Sequence, residues 1–409
     1  MKTRLRLRPR DRETVLLKKP EIESFQLLGK MCPKRKTTFI MATPQIFLDE
    51  NYNLHYPPGA KHTDAASDDV LAVTHEHWTQ FPPVHPFIQH FFGILFFVLW
   101  VISVSGNGLV IFIFLKIKTL RTPSNMLVVA LAFSDFIMIC SLAPPLFINV
   151  FIGKYWAFGP LGCELYGFLG GVFGCASLWM IIMIGYDRYN VIVKGFNGVK
   201  TTPCIAFLMI IFSFAYSTAV CLPPLLKVWG SYKLEGLLLT CSFDYITDDW
   251  VNKSFTLFFF IGCYGLPMCF IIYFYSQIVY AVVAHERALK AQAKKMNVES
   301  LRSNTDANAE SAEVRIAKVA ITNICLWLLA WTPYAAIAMI GQFGGAHLLT
   351  PVVTQLPSFL AKTASCFNPI VYAVSHPKYR EALTKELPCL GIKEHSETED
   401  TKTTAVSSE

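Results

Sequence analysis

A single lysine stands in FLAKTASCFNPIVY, and Lys362 is the one charge between Pro351 and Pro377. A primary amine taken out of water loses part of its preference for the protonated form and becomes nucleophilic. Such an amine condenses with an aldehyde to an imine, and a protonated imine is a buried cation that requires a counter-charge. Asp135, in LAFSD, is likewise the one charge between Met126 and Gly153. A charge placed in hydrocarbon costs about 2.5–3.5 kcal/mol, so each of these two needs a reason. Asn107 in SGNG and Asn368 in NPIVY are polar residues in similarly apolar runs. The expectation is a buried polar network linking Asn107, Asp135 and Asn368 across three helices. It serves either as structural glue or as a water- or sodium-linked switch between two packings.

A second charged group is YDRYN. There Asp187 can hold Arg188 in place beside Tyr189, and Glu313 is a further candidate partner for the same guanidinium. Such a pair clamps two helix ends until something separates them. The alternative is an interfacial arginine reaching toward lipid headgroups. The chain shows no metal-ligand cluster and no phosphate-binding loop.

Positioning these groups requires long apolar elements. The 409 residues are 53% hydrophobic and 16% charged, against about 25% charged in a typical soluble domain. Uncharged runs cover Pro86–Leu115, Tyr166–Tyr186, Thr201–Leu226, Ser254–Ala284 and Val319–Ala346. With the runs around Asp135 and Lys362 they make seven, each longer than the ~20 residues a helix needs to cross a bilayer. The fold class expected is an all-α membrane protein, a seven-transmembrane helix bundle.

One set of loops, together with the start of the C-terminal tail to Lys385, carries sixteen Lys and Arg, and the opposite set, counted from Met41, carries five. Basic loops stay inside, which places the N-terminus outside and the C-terminus in the cytoplasm. The expected divisions are an extracellular tail at 41–86, the bundle at 87–377 and a cytoplasmic tail at 378–409. Residues 1–40 carry a net charge of +8 and are awkward to translocate, so Met41 reads as the more natural start. Neither does MKTRLRLRPR lead into the apolar core of a signal peptide.

Prolines at 267, 333 and 369 are expected to kink the fifth, sixth and seventh helices. In AWTPY, Trp331 lies two residues before its proline and is placed to sense the bundle centre. Cys163 and Cys241 share the outer, oxidising face, so a disulfide between them is expected. The fifth helix should run on past the membrane through HERALKAQAKKMNVESLRS, with SNTDANAES breaking the pattern before the sixth. Asn252 heads a glycosylation sequon, although its closeness to the membrane argues that it stays unmodified. Cys389 is a candidate for palmitate.

In order and on the right helices, SGNG, LAFSD, Cys163 with Cys241, YDRY, AWTP and NPIVY closely resemble the rhodopsin-like family of G-protein-coupled receptors over residues 87–390. Lys362, six residues before Asn368, matches the retinal-binding lysine of opsins. YDRYNVIVKG, AQAKKMNVESLRSN, SAEVRIAKVAIT and HPKYREAL resemble arthropod visual opsins in particular.

The resemblance implies a light-activated receptor with 11-cis-retinal, or a hydroxylated variant, held on Lys362 as a protonated Schiff base. It implies Glu235, in KLEG, as counterion from the second extracellular loop, with Glu164 a weaker candidate. Tyr166, where vertebrate visual opsins carry a glutamate, becomes a polar neighbour, and Trp331 a pocket residue. Asp135, Asp187, Arg188, Tyr189, Glu313, Asn368, Pro369 and Tyr372 become the switch that couples to a Gq-class G protein. Arrestin, a receptor kinase and membrane lipid complete the expected partners, in the plasma membrane of the photoreceptor rhabdomere, with no nucleic acid. A retinal photoisomerase and a receptor for a diffusible ligand are the alternatives.

The chain also departs from the pattern. The lysine of insect ultraviolet opsins is absent from Ile139–Leu142, which argues for visible sensitivity. TCSFDYITDD looks short-wavelength whereas Pro144–Pro145 looks long-wavelength, so the residues leave the colour open. The fourth span has no Trp, and Trp327 stands where Phe is common.

Overall fold

Each apolar run becomes a helix, and for several the first turn is prepared by the residue before it. The computed structural model describes residues 47–48, 54–55, 57–153, 155–295, 312–375 and 377–388, all within the compact unit Thr43–Glu409. The long helices are α1 (Pro86–Lys116), α2 (Pro123–Phe151), α3 (Gly159–Tyr189), α4 (Pro203–Leu225), α5 (residues 250–295), α6 (Ala312–Ile340) and α7 (Pro351–Ser375). A short α8 (Pro377–Glu386) follows. Proline opens or nearly opens most of them, where its missing N–H removes no helical bond. Thr122, Thr202 and Asp249 cap α2, α4 and α5 by accepting from the amides of Asn125, Ile205 and Asn252, satisfying donors that the helix leaves unpaired.

Among the described residues, six helices are long and apolar enough to cross a membrane. The seventh, α7, is 25 residues long, sufficient for a span. It is less apolar because Thr354, Gln355, Ser358, Lys362, Ser365 and Asn368 lie along it, all buried in the bundle.

The prolines act locally. α5 runs as α-helix over Trp250–Phe260, widens to a π-turn at Ile261–Gly265, and resumes at Leu266. In the π register the Gly262 carbonyl would seek the amide of residue 267, which is a proline. Tyr216 of α4 donates to that carbonyl instead, at 3.1 Å. Pro369 of α7 packs against α1 where Gly106 leaves room, since a Cβ there would come within 2.9 Å of the proline ring. This explains a glycine of SGNG. As expected, α5 continues well past its apolar run, to Lys295.

The bundle has two ends, called upper and lower here. At the upper end the disulfide Cys163–Cys241 ties the start of α3 to the loop between α4 and α5. That loop forms an antiparallel hairpin of β3 (Tyr232–Leu234) and β4 (Cys241–Phe243), with Leu234 opposite Cys241. A shorter pair, β1 (Phe47–Leu48) and β2 (Leu54–His55), lies in the tail. Leu237, Leu238 and Leu239, at the hairpin turn, are fully buried, so the hairpin dips into the bundle rather than lying across it. Residues 57–85 pack over it, with Trp78 buried and the Leu234 amide bonded to the Val73 carbonyl. The expectations for Met1–Ile40 and Cys389 lie outside the described residues.

Candidate functional site

Lys362, Glu235, Tyr166 and Trp331 line one cavity between the hairpin, α3, α5, α6 and α7. One wall is a face of α3 made of Gly167, Gly170, Gly171 and Gly174, spaced as consecutive turns of one helical stripe. A Cβ at Gly174 would come within 2.9 Å of Trp331, and one at Gly167 within 2.4 Å of Tyr232. These glycines let bulky rings from other elements approach the helix and still leave a slot beside it. Most of the surface facing that slot is apolar, contributed by residues such as Met138, Phe259 and Ala335.

The polar end is compact. Lys362 Nζ donates to the Ser358 carbonyl at 3.1 Å and approaches Ser358 Oγ at 2.9 Å. Ser358 Oγ in turn donates to Glu235 Oε2 at 3.3 Å. The lysine and the carboxylate are thus joined through one hydroxyl, a group the sequence reading did not single out. Ser358 lies four residues before Lys362, one helical turn away, so its proximity could have been read from spacing.

Glu235 is 4% exposed and takes three more donors: Thr240 Oγ1 at 3.1 Å, Tyr245 OH at 3.2 Å and Tyr334 OH at 2.7 Å. Burial, reinforced by the Glu235 charge, holds the Tyr245 phenol well above its ordinary pKa, so that it remains a donor. The backbone is equally fixed. The Glu235 amide donates to the Thr240 carbonyl and the Leu238 amide to the Glu235 carbonyl, with Leu238 in the left-handed region at φ 58°. Glu164, the weaker candidate, instead pairs with Lys227 at 3.0 Å. Tyr166 OH and the Trp331 indole N–H are buried without a hydrogen-bond partner among the described residues.

Trp331 stacks on Trp327 with centroids 5.7 Å apart, and Trp327 stacks on Tyr264. The unusual Trp327 therefore extends the aromatic wall behind Trp331. Although α4 has no Trp, Trp179 of α3 packs on Phe212 and Tyr216 of α4, supplying indole area from the other side of that contact.

The polar groups deeper in the bundle form two sets. Asp135 accepts from Ser177 Oγ and from Asn368 Nδ2, both at 2.7 Å, joining α2, α3 and α7. Asn107 donates to the carbonyls of Ser103 and Ser365, joining α1 to α7. The single network expected of Asn107, Asp135 and Asn368 is therefore divided, because the Asn107 amide is used by backbone carbonyls.

At the lower end Arg188 is ion-paired to Asp187, which also accepts from Thr201 Oγ1. Tyr189 approaches Tyr273 of α5 and lies under the Lys194 ammonium. The side chains of Glu313 and Tyr372 lie outside the described residues. Asn252 is buried and its amide donates to Asp249, which leaves it poorly placed for a glycan.

The family described as "7 transmembrane receptor (rhodopsin family)" matches residues 106–372. The chain belongs to the rhodopsin family of seven-transmembrane receptors. Within that family it is similar to compound eye and lateral eye opsins. It is 46% identical to compound eye opsin BCRH2 of Hemigrapsus sanguineus over 83% of this chain and 89% of that opsin. It is 43% identical to the lateral eye opsin of Limulus polyphemus over 86% of this chain and 93% of that one. The crystal structure of squid rhodopsin superposes with a TM-score of 0.71 at 39% identity, covering 79% of this chain and 93% of the other. This opsin is a membrane receptor of the visual type, not an enzyme, and its signalling partner is a G protein.

Proposed function

We propose that this opsin is a light-activated receptor that binds 11-cis-retinal, or a hydroxylated variant, on Lys362 and activates a Gq-class G protein. The observation that carries the reading is the chain Lys362–Ser358–Glu235 at the polar end of an otherwise apolar, glycine-faced slot. A long apolar aldehyde suits such a slot, because it needs an amine at one end, a carboxylate nearby and no other polar partner along its length. When bound, retinal supplies the aldehyde and a polyene that changes shape on absorbing light.

The residues then divide the work. Ser358 holds the Lys362 nitrogen at the mouth of the slot. Glu235 balances the positive charge there, and its four hydroxyl donors hold it still. Tyr166 and Trp331 each offer an unpaired polar atom to the same cavity. A push on Trp331 acts on α6 two residues before Pro333. Movement of α6 bears on the switch, made of Asp187, Arg188 and Tyr189 at the lower end, where Glu313 is the proposed partner for Arg188, together with Asp135, Asn368, Pro369 and Tyr372. In this reading the upper end is extracellular, residues 41–86 are the outer tail and 378–409 the inner one. The receptor occupies rhabdomeral plasma membrane and is served by arrestin and a receptor kinase.

The test is reconstitution of the full chain with 11-cis-retinal, followed by spectra before and after light. A visible band that is absent in Lys362→Ala supports the reading, and a band that persists in that variant refutes it. Light-dependent activation of Gq separates a receptor from a photoisomerase, which would turn over retinal without signalling.

A further inference from the structure

The tail beyond the bundle makes contacts that the function above does not use, and they converge on one residue. His62 is fully buried, and its Nε2 lies 3.1 Å from the carbonyl oxygen of Gly236, the residue after Glu235. A carbonyl only accepts, so Nε2 carries the proton and donates. On the other side of Glu235, the Leu234 amide donates to the Val73 carbonyl at 2.8 Å. The tail therefore holds both neighbours of the site carboxylate. A third contact reaches the lysine's helix, where His77 Nε2 meets the carbonyl of Leu349, two residues before α7 begins.

The fit at this junction is tight. A Cβ at Gly236 would stand 2.3 Å from Thr354 Oγ1 and 2.6 Å from the Pro351 carbonyl, so the Gly236 backbone sits directly against the first turn of α7. His62 is itself tied down. Its amide donates to the Phe81 carbonyl, and its own carbonyl accepts from Tyr155 OH at 2.7 Å. Burial drives the His62 pKa down to about 4, opposed by the bond to Gly236, so the ring at neutral pH is uncharged and adds no competing cation.

We infer that residues 62–77 form a strap that fixes the distance between Glu235 and α7, with His62 as a positioning residue for the carboxylate. This rests on the reading of Glu235 as the counter-charge to Lys362. A charge acts on its partner in proportion to how well its position is held. A loosened Glu235 therefore stabilises the proton at Lys362 less.

The experiment uses the full chain reconstituted with 11-cis-retinal, and reads the pH at which the visible band gives way to a near-ultraviolet one. His62→Phe keeps a ring and removes the donor, and it should move that midpoint down by about one unit, a tenfold loss in proton affinity. His62→Gln retains a donor and should restore most of it. In the retinal-free chain, His62→Phe should also speed amide hydrogen exchange over residues 232–243. If His62→Phe yields no pigment, Tyr155→Phe, which releases the His62 carbonyl, is read instead and should shift the midpoint in the same direction. An unchanged midpoint in whichever variant is read overturns the strap, as does a failure of Gln to restore it. Glu235→Gln is run in parallel. If it too leaves the midpoint unmoved, the counter-charge reading has failed; if it moves the midpoint while the His62 variants do not, the strap alone has failed.

Discussion

Glu235 and Asp135 are both buried carboxylates, and neither is satisfied by direct contact with a cation. Glu235 takes four hydroxyl donors, from the hairpin, α6 and α7. Its own backbone is locked within the turn. Asp135 takes one hydroxyl from α3 and one amide from α7. The first arrangement fixes a carboxyl group beside an amine, whereas the second makes a carboxyl group the shared link between helices. A carboxylate with many donors on a stiff hairpin resists movement. One held by a single donor from each of two helices responds when those helices shift.

Glu235→Gln breaks the comparison most severely. Removing one partner from a buried charge pair costs about 3–5 kcal/mol, so the visible band should be lost at neutral pH and recovered only in acid; a visible band at pH 7 with ordinary intensity contradicts the assignment. Acid should act next, through His62. The unfolded chain takes its proton near pH 6.5, whereas the folded chain does so only near 4. Between these values the unfolded state binds more protons. Stability is thus complete above pH 6.5 and falls as pH drops toward 4, by about 3 kcal/mol in all. Melting of the retinal-free protein in detergent should show this decline, and His62→Phe should flatten it.

Tyr334→Phe removes one of the four donors to Glu235. Without that bond the carboxylate is held less firmly, so the pH midpoint of the visible band should shift down, by less than in Glu235→Gln, measured by the same titration. Asp135→Asn has the smallest expected effect on the resting pigment. Its spectrum should match the parent, while light-dependent G-protein activation changes; a displaced resting band would erase the distinction between the two carboxylates.

How much of this was written plainly in the chain follows from the range of each interaction. The spans were legible because a membrane selects for uninterrupted apolar length, and Lys362 and Asp135 stood out against that background. The disulfide partners were legible because topology left them on one face. Glu235 could be named from the resemblance. Its surround could not, since Tyr245, Tyr334 and Ser358 converge only once the hairpin has dipped between the helices. His62 was more remote still, 174 residues from Gly236 in a tail without periodicity. Asn107 shows the opposite failure, in which a polar residue of the expected type spends its amide on backbone carbonyls.

The glycine face of α3 has a further consequence. Each glycine in a helix interior weakens it by up to about 1 kcal/mol relative to alanine, and four of them follow closely on Cys163. The stretch that must stay straight beside the slot is therefore the one whose own sequence holds a helix least firmly. The bond from Cys163 to Cys241 then acts as a splint, clamping the upper end of a soft rod to the hairpin. Reducing that bond should loosen α3 first along its glycine face, at the wall of the slot itself.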